Sequence, residues 1–376
     1  MTKDVAIIGG SAAGFFTAYL LAQKGLRVRL FEASDSVAPC PRTLIVTSSV
    51  SDLIGSLCTG TVTNEIHHYE LFADGRFAKV SLGRPDLVIE RSKLIKKLAT
   101  QAELNGAKVL TSHRFQGLKP NAKDLRFTVS RNGKGAPIEE STNILVGADG
   151  AFSKVAESAG WPRQSTVPLF QAIVELPKHM ASDTTRVWFA PEHTSYFYWL
   201  IPHSPTHGVL GLISGEEREG RRSLERFLER RELVPTEFQS ARIPVYTRWL
   251  PIHRKIQEGH VYLVGDAAAH VKASTLGGIL TGFRGALGVA EAILNGGSSR
   301  EFMGLRRELN RHQLIRRALD HFTRTDYARL LDLLNPSTQR LLGIFTRDET
   351  KKLLFRVLFR QPRLLFLILR SLSNGR

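Results

Sequence analysis

Val5-Ala6-Ile7-Ile8 runs into Gly9-Gly10-Ser11-Ala12-Ala13-Gly14, then Phe15 to Gln23, then Leu26 to Phe31 and Glu32. An apolar run, a glycine-rich turn, a helical pattern closed by Gly25 and a second apolar run make a βαβ unit, so the two strands lie parallel in one sheet. In such a unit the first glycine makes the strand-to-helix turn and the third lets helix and sheet approach closely, while the helix N-terminus faces a pyrophosphate. Ser11 stands where a second glycine is usual, which narrows the approach without blocking it. Glu32, with Ala33 beside it, ends the second strand where an acid reaches a ribose hydroxyl. An ordinary glycine turn would account for the glycines alone. Their place between strand and helix, with an acid at this distance, favours a dinucleotide carrying a free 2′-hydroxyl.

Around this unit lie 376 residues, 42% of them hydrophobic, enough for two connected domains and a tail. Met1 to Asp4 lead straight into the first strand without a basic-then-apolar leader, so the expectation is a cytoplasmic chain, on the inner face of a membrane if it meets one. No apolar run reaches the ~20 residues of a spanning helix. Cys40 and Cys58 are the cysteines, which excludes a disulfide scaffold and an iron–sulfur framework. Lys and Arg outnumber Asp and Glu by 52 to 35, so the expected partner is anionic. No zinc finger, RNA-binding motif or basic stripe interleaved with aromatics is present, which sets nucleic acid aside. His67-His68 has no third ligand at recognisable spacing, and no metal is expected.

Farther along, residues 58–82 alternate apolar and polar about Asp74-Gly75, the dipeptide of a tight hairpin. From Leu87 the pattern returns to a short strand, an amphipathic helix from Ser92 to Leu104, an Asn105-Gly106 stop and a strand at Val109. Between Val167 and Ser214, aromatic and β-branched runs separated by Pro177, Pro191, Pro202 and Pro205 predict an antiparallel sheet. Gly259 to Asp266 reads as a strand, Gly277 to Leu294 as a helix, and residues after Gly297 as basic helices. The expected class is α/β. A Rossmann-like nucleotide-binding domain with a parallel sheet takes residues 1–57, 83–163 and 255–297. An interleaved antiparallel-sheet substrate domain takes 58–82 and 164–254, and a C-terminal basic helical region takes 298–376.

Two further strand ends carry glycine–acid pairs: Gly147-Ala148-Asp149-Gly150-Ala151-Phe152-Ser153, and Gly265-Asp266-Ala267-Ala268-Ala269-His270 followed by Gly277-Gly278-Ile279. Alone, either pair is a turn signal. With the first motif they resemble the flavoprotein monooxygenase and reductase superfamily typified by aromatic hydroxylases, over most of the first 297 residues. The resemblance implies FAD, with Asp266 on ribityl or ribose hydroxyls and Arg91, in Val88-Ile89-Glu90-Arg91, on the pyrophosphate. The cofactor set it implies also takes in Gly9, Ser11, Ala12, Ala13, Gly14, Glu32, Ala33 and Arg42, and at the later motifs Asp149, Gly150, Gly265, Gly277, Gly278 and Ile279. A solvated helix-start charge is the other reading of Arg91.

Within that superfamily the chain is most similar to geranylgeranyl reductases, flavoenzymes that saturate double bonds of isoprenoid chains. Val271-Lys272-Ala273-Ser274-Thr275-Leu276-Gly277-Gly278 resembles their V-K/N-P-x-T-x-G-G run. Phe197-Tyr198-Trp199-Leu200-Ile201-Pro202 resembles their Y-x-W-x-F-P, but also the W-x-W-x-I-P of flavin-dependent halogenases, and Phe197 and Ile201 depart from the reductase form. The implied activity is hydride transfer from reduced flavin to an isoprenoid or other apolar small molecule. The rival is a monooxygenase or halogenase using a flavin hydroperoxide, for which Lys79 or Lys272 would be the pocket lysine.

No catalytic residue follows from the pattern. Cys40, Tyr198, Trp199 and His270 are candidates, against readings as an inert thiol, sheet core and a structural histidine. Tyr196 joins Tyr198 as a proton donor by nearness to the aromatic motif. With no second G-x-G-x-x-G, the electron donor is NAD(P)H bound transiently or a ferredoxin-like protein. Lys351 to Arg376 holds seven Lys or Arg, no acid, and Leu/Phe clusters broken by Pro362. That composition fits either a peripheral membrane anchor or helices packed on the body.

Overall fold

A computed structural model of the chain describes residues 3–38, 40, 42–119, 124–132, 136–256 and 258–373. In chain order the first elements are β1 (Asp4–Ile8), α1 (Ala12–Gln23), β2 (Arg27–Phe31), β3 (Thr43–Val46), α2 (Ser49–Ile54), β4 (Val62–Ala73), β5 (Arg76–Glu90), α3 (Arg91–Leu104) and β6 (Lys108–Leu110). Then come β7 (His113–Leu118), β8 (Leu125–Arg131), β9 (Ile138–Thr142), β10 (Ile144–Gly147), α4 (Lys154–Ser158), β11 (Thr166–Glu175), β12 (Thr184–Trp188), β13 (Tyr198–Pro202), β14 (His207–Ile213), α5 (Glu217–Arg230) and β15 (Pro235–Pro244). The remainder is β16 (His253–Ile256), β17 (Gly259–Leu263), α6 (Ile279–Leu294), α7 (Arg300–Leu319), α8 (Arg324–Asp332), α9 (Pro336–Ile344), α10 (Thr350–Arg360) and α11 (Pro362–Ser373).

The first sheet has the order β16-β17-β10-β1-β2-β6 and is parallel except at β16. Its central strands β1 and β10 are almost wholly apolar because both faces are covered, while the strands nearer the edges, β2, β6 and β16, carry Arg or Lys. Val5 and Ile7 pack with α1, α3 and α6 on one side, and Ala6 and Ile8 pack with Phe115, Phe127 and Val129 on the other. The second covering layer is a three-stranded sheet, β7-β8-β9, for which the sequence pattern gives no expectation.

The larger sheet has the order β15-β11-β14-β13-β12-β4-β5-β3. It is antiparallel except that β12 pairs with β4 in parallel, a correction to the wholly antiparallel expectation. The junction arises because β12 reaches β4 from a separate stretch of chain, where no hairpin dictates the direction. Asp74 and Gly75 take φ of 45° and 72° between the paired Ala73 and Arg76, the geometry a two-residue hairpin turn requires. The strand expected at Leu87 is the end of β5, which continues in this sheet, and β3 pairs with it.

The C-terminal helices lie against both parts. α7 packs on α6, α8 on β4 and β5, and α9 along β5. α10 and α11 then form a hairpin on α7, α8 and α9.

Candidate active site

Small residues build the turn that opens α1. Gly9 has φ of 105°, and a Cβ there would lie 2.5 Å from the Ala148 carbonyl oxygen. Gly14 sits so close to the Gly9 carbonyl that any Cβ would overlap it. Ser11 is the N-cap of α1 and accepts the Gly14 N–H at 3.1 Å, so the serine at the second glycine position secures the helix start. Ala12 and Ala13 follow, buried. The Ala13 methyl would be 3.0 Å from a Cβ at Gly265, which brings the late glycine–acid motif against the first. At the end of β2, Glu32 accepts the Gly10 N–H at 2.6 Å and the Ser34 N–H at 2.8 Å, with Ala33 half-buried beside it.

Gly265 begins a single 3-10 turn that contains Asp266. Burial raises the Asp266 carboxyl above its ordinary range, against the pull of the Arg91 guanidinium. Its oxygens accept no hydrogen bond from the described residues. Gly278 is the N-cap of α6 and brings no side-chain cap; a Cβ on it would stand 3.3 Å from Asp266 Oδ1. Gly277, Gly278 and Ile279 therefore set the positive end of α6 beside a carboxylate that lacks a donor.

Arg91 opens α3. Its N–H donates to the Arg42 carbonyl at 2.9 Å, while Glu90 caps the helix and accepts the Arg42 N–H at 3.2 Å. The two arginines are thereby held together, and burial, then the Arg91 charge, lowers the Arg42 pKa. Arg42 also donates from its guanidinium to the Ser240 carbonyl at 3.1 Å. Paired guanidiniums next to a donor-seeking aspartate suit a ligand that carries both phosphate and hydroxyl groups.

Asp149 organises its own loop. It accepts the Ser153 hydroxyl at 2.5 Å and the Val155 N–H at 3.1 Å, and burial raises its carboxyl against those bonds. With Gly150 at φ of 86°, it shapes the loop into α4 and so holds Ala148 against Gly9.

Tyr196, Ile213, Val271 and Leu276 form a buried apolar cluster, with Leu169, Trp199 and Ile243 among the side chains packed on it. Val271 and Leu276 belong to the turn after Asp266 and the others to the large sheet or the loop leading into it, so the two halves of the molecule meet here through hydrocarbon. The Trp199 ring lies over Gly211, where a Cβ would be 2.5 Å from it.

Tyr198 faces the other way. It stacks on Phe227 of α5 with centroids 4.1 Å apart, and its hydroxyl donates to the Ser223 carbonyl at 3.3 Å. Successive strand residues point to opposite faces, so Tyr198 packs in the core beneath α5, on the face away from Trp199. His270 is fully buried, stacked on Trp249 at 5.7 Å and pressed against Gly285, which gives it a packing role. Cys40 is exposed and lies outside the apolar cluster.

A buried charged network behind the turn has no counterpart in the sequence reading. Lys272 pairs with Asp348, to which Thr47 also donates. Burial would raise the Asp348 carboxyl, yet Lys272 and Thr47 hold it below the usual range. Arg347 pairs with Asp86 at 2.5 Å, and the Tyr69 hydroxyl donates to Asp86 at 2.7 Å. His312 sits between Ser274 at 2.6 Å and Thr350 at 3.2 Å. A dense run of charge at Arg347-Asp348-Glu349, between two helices, is the one signal that points to it.

Burial lowers the pKa of His270 and of His312 to about 3, from 6.5. The unfolded chain takes up these protons below 6.5, so the stabilisation is full above that pH and falls by up to about 1.4 kcal/mol per imidazole per pH unit below it. The thermal unfolding midpoint should therefore fall from about pH 7 to about pH 5, and less steeply in His312→Gln. Equal slopes would contradict the assignment.

Fold and site together define an FAD-dependent oxidoreductase. The chain belongs to the FAD binding domain family, whose model matches residues 2–286. It is 25% identical to the digeranylgeranylglycerophospholipid reductase of Methanococcus vannielii over 73% of each chain. A solved geranylgeranyl bacteriochlorophyll reductase-like protein from Thermoplasma acidophilum shares the fold, with a TM-score of 0.79 over 99% of both chains at 19% identity. A flavin-dependent brominase follows with a TM-score of 0.66 over 91% of this chain and 94% of its own, at 16% identity. Among the described residues, no helix is long and apolar enough to cross a membrane.

Proposed function

We propose that the enzyme is a geranylgeranyl-reductase-like flavoenzyme that saturates C=C bonds of an isoprenoid lipid. The observation that carries this reading is the apolar cluster of Tyr196, Ile213, Val271 and Leu276 set against the Asp266 turn. A hydrocarbon substrate offers nothing for ionic groups to grip, and the side chains of this cluster are aliphatic or aromatic, with one guanidinium, Arg316, lying over the Tyr196 ring. The name of the M. vannielii relative agrees.

The residues fit FAD by their own chemistry: a close approach of α1 to β1 that only Gly9 and Gly14 allow and that brings the helix N-terminus to the strand end, an aspartate lacking donors, and paired arginines. Glu32 would hold the adenosine ribose, the α1 N-terminus with Arg42 and Arg91 the pyrophosphate, and Asp266 with the start of α6 the ribityl end. Bound and reduced, FAD would supply the hydride chemistry for one alkene carbon. Asp266→Ala should weaken FAD retention at least tenfold, read by equilibrium dialysis; unchanged retention would remove Asp266 from the site.

The second alkene carbon needs a proton, and Tyr196, whose side chain belongs to the apolar cluster, carries a hydroxyl. Burial raises its pKa, against the Arg316 guanidinium 4.6 Å from the ring, so the phenol stays protonated. Tyr196→Phe should lower kcat at least tenfold with KM little changed; a full kcat assigns the proton to water.

NAD(P)H or a ferredoxin-like protein would supply electrons, and both are anionic. A cavity of about 560 Å³ lined by Arg218, Arg221, Arg222, Glu217, Glu225 and Ser240, whose carbonyl Arg42 bonds, offers such a donor a recess beside Arg42. An isoprenoid lipid substrate would bring the enzyme to a membrane surface.

The halogenase alternative wants a free lysine in the pocket. Lys272 is tied to Asp348, and Lys79 is exposed on β5. Anaerobic incubation of dithionite-reduced enzyme with a geranylgeranyl lipid should give a product heavier by whole hydrogen pairs. Product formed only in air, carrying oxygen or halogen, would overturn the reductase reading.

A further inference from the structure

We propose that the outward face of the α10–α11 hairpin docks on the headgroup layer of an anionic lipid bilayer, an inference that rests on the lipid-substrate reading for its purpose. Leu364 and Leu367 are buried against the body, the Ser371 hydroxyl donates to the Ala318 carbonyl at 2.5 Å, and Arg370 pairs with Asp326. One face of the hairpin is thus structural. The other is open and aromatic. Phe355, Phe359 and Phe366 are 75%, 83% and 71% exposed, and Leu369 is 54% exposed. Phe355 and Phe359 stand four residues apart on α10, as Leu365 and Leu369 do on α11, so each helix presents a stripe.

The charges around these stripes select the occupant. Residues 350–373 contain no Asp or Glu. Arg356 lies over the Phe345 ring at 4.8 Å and Arg360 donates to Ser337 at 3.3 Å, while Lys351 and Arg363 meet no acid among the described residues. A second copy of this face would set like charges against one another. An acidic protein would need pockets matched to each protruding ring, whereas a fluid headgroup layer accepts rings at any spacing. With 11 and 12 residues, the two helices are too short to span a bilayer and suited to lie in its surface.

The test is co-sedimentation of the FAD-loaded protein with phosphatidylglycerol-containing vesicles and with pure phosphatidylcholine vesicles, at low and high salt. Binding should favour the anionic vesicles and fall with salt. It should drop at least tenfold in Phe359→Ser with Phe366→Ser, and as much in Arg356→Glu with Arg363→Glu. FAD content and the unfolding midpoint should hold in the phenylalanine variant, whose side chains contribute little to the body. Wild-type protein that ignores anionic vesicles, binds both kinds equally, or loses nothing in either variant overturns the proposal. So does a solution dimer that Phe359→Ser dissociates, because the face then belongs to a second copy. Absent vesicle binding with intact reduction of detergent-dispersed isoprenoid overturns docking and leaves the reductase reading in place. Vesicle binding without isoprenoid reduction does the reverse.

Discussion

Gly14→Val protein is expected to emerge colourless, with FAD absent from the denatured supernatant. The valine would drive into the Gly9 carbonyl, from which a Cβ at residue 14 has no clearance, and into the Ala148 methyl at 3.0 Å. Relief requires α1 to lift from β1, which displaces the helix N-terminus from the pyrophosphate and costs about 1–3 kcal/mol of packing. Absorbance of the purified protein and circular dichroism together separate loss of cofactor from loss of fold. A folded, fully yellow variant would contradict the location given to the cofactor. Gly25→Ala is the control, since a Cβ there meets nothing within 4 Å and only its φ of 77° is strained.

The second large effect is expected at Asp348→Ala. It leaves the Lys272 ammonium buried without its partner, for which a penalty of about 3–5 kcal/mol is typical. Thr47 loses its acceptor in the same step. Because Lys272 stands in the turn between Asp266 and Gly278, the damage should reach FAD retention as well as the unfolding midpoint. Lys272→Met combined with Asp348→Leu removes both charges and should recover most of the stability, to within about 1–2 kcal/mol of the parent. If the single variant unfolds at the parent's denaturant midpoint, the pair is not the link described here.

Much of this site is legible in one dimension because its chemistry is local. The glycine turn needs Gly9, Gly14 and a small residue at 11 wherever the fold occurs, and Asp74-Gly75 carries its turn in two residues. The start of α3 falls at Arg91, one residue before the expected Ser92, because Glu90 caps it. What the sequence conceals is long-range. Phe197 to Pro202 reads as continuous apolar character, since the sheet is covered on both sides, and alternation cannot then say whether Tyr198 or Trp199 faces the cofactor. The parallel meeting of β4 and β12, and the pairing of Lys272 with Asp348 across 76 residues, are properties of the assembled chain. The tail's composition fits two readings, and its hairpin packs one face on the body and leaves the other bare.

The strand order also governs how the protein is made. β1 emerges first from the ribosome, yet it lies between β2 and β10, and β10 in turn waits for β17. The larger sheet likewise joins residues 62–90 to residues 166–244. Its unpaired edges stay open until most of the nascent chain has been synthesised, and such high sequence separation slows closure. Recombinant yield should accordingly respond to chaperone supply and slower translation more than to the thermodynamic stability of the finished enzyme.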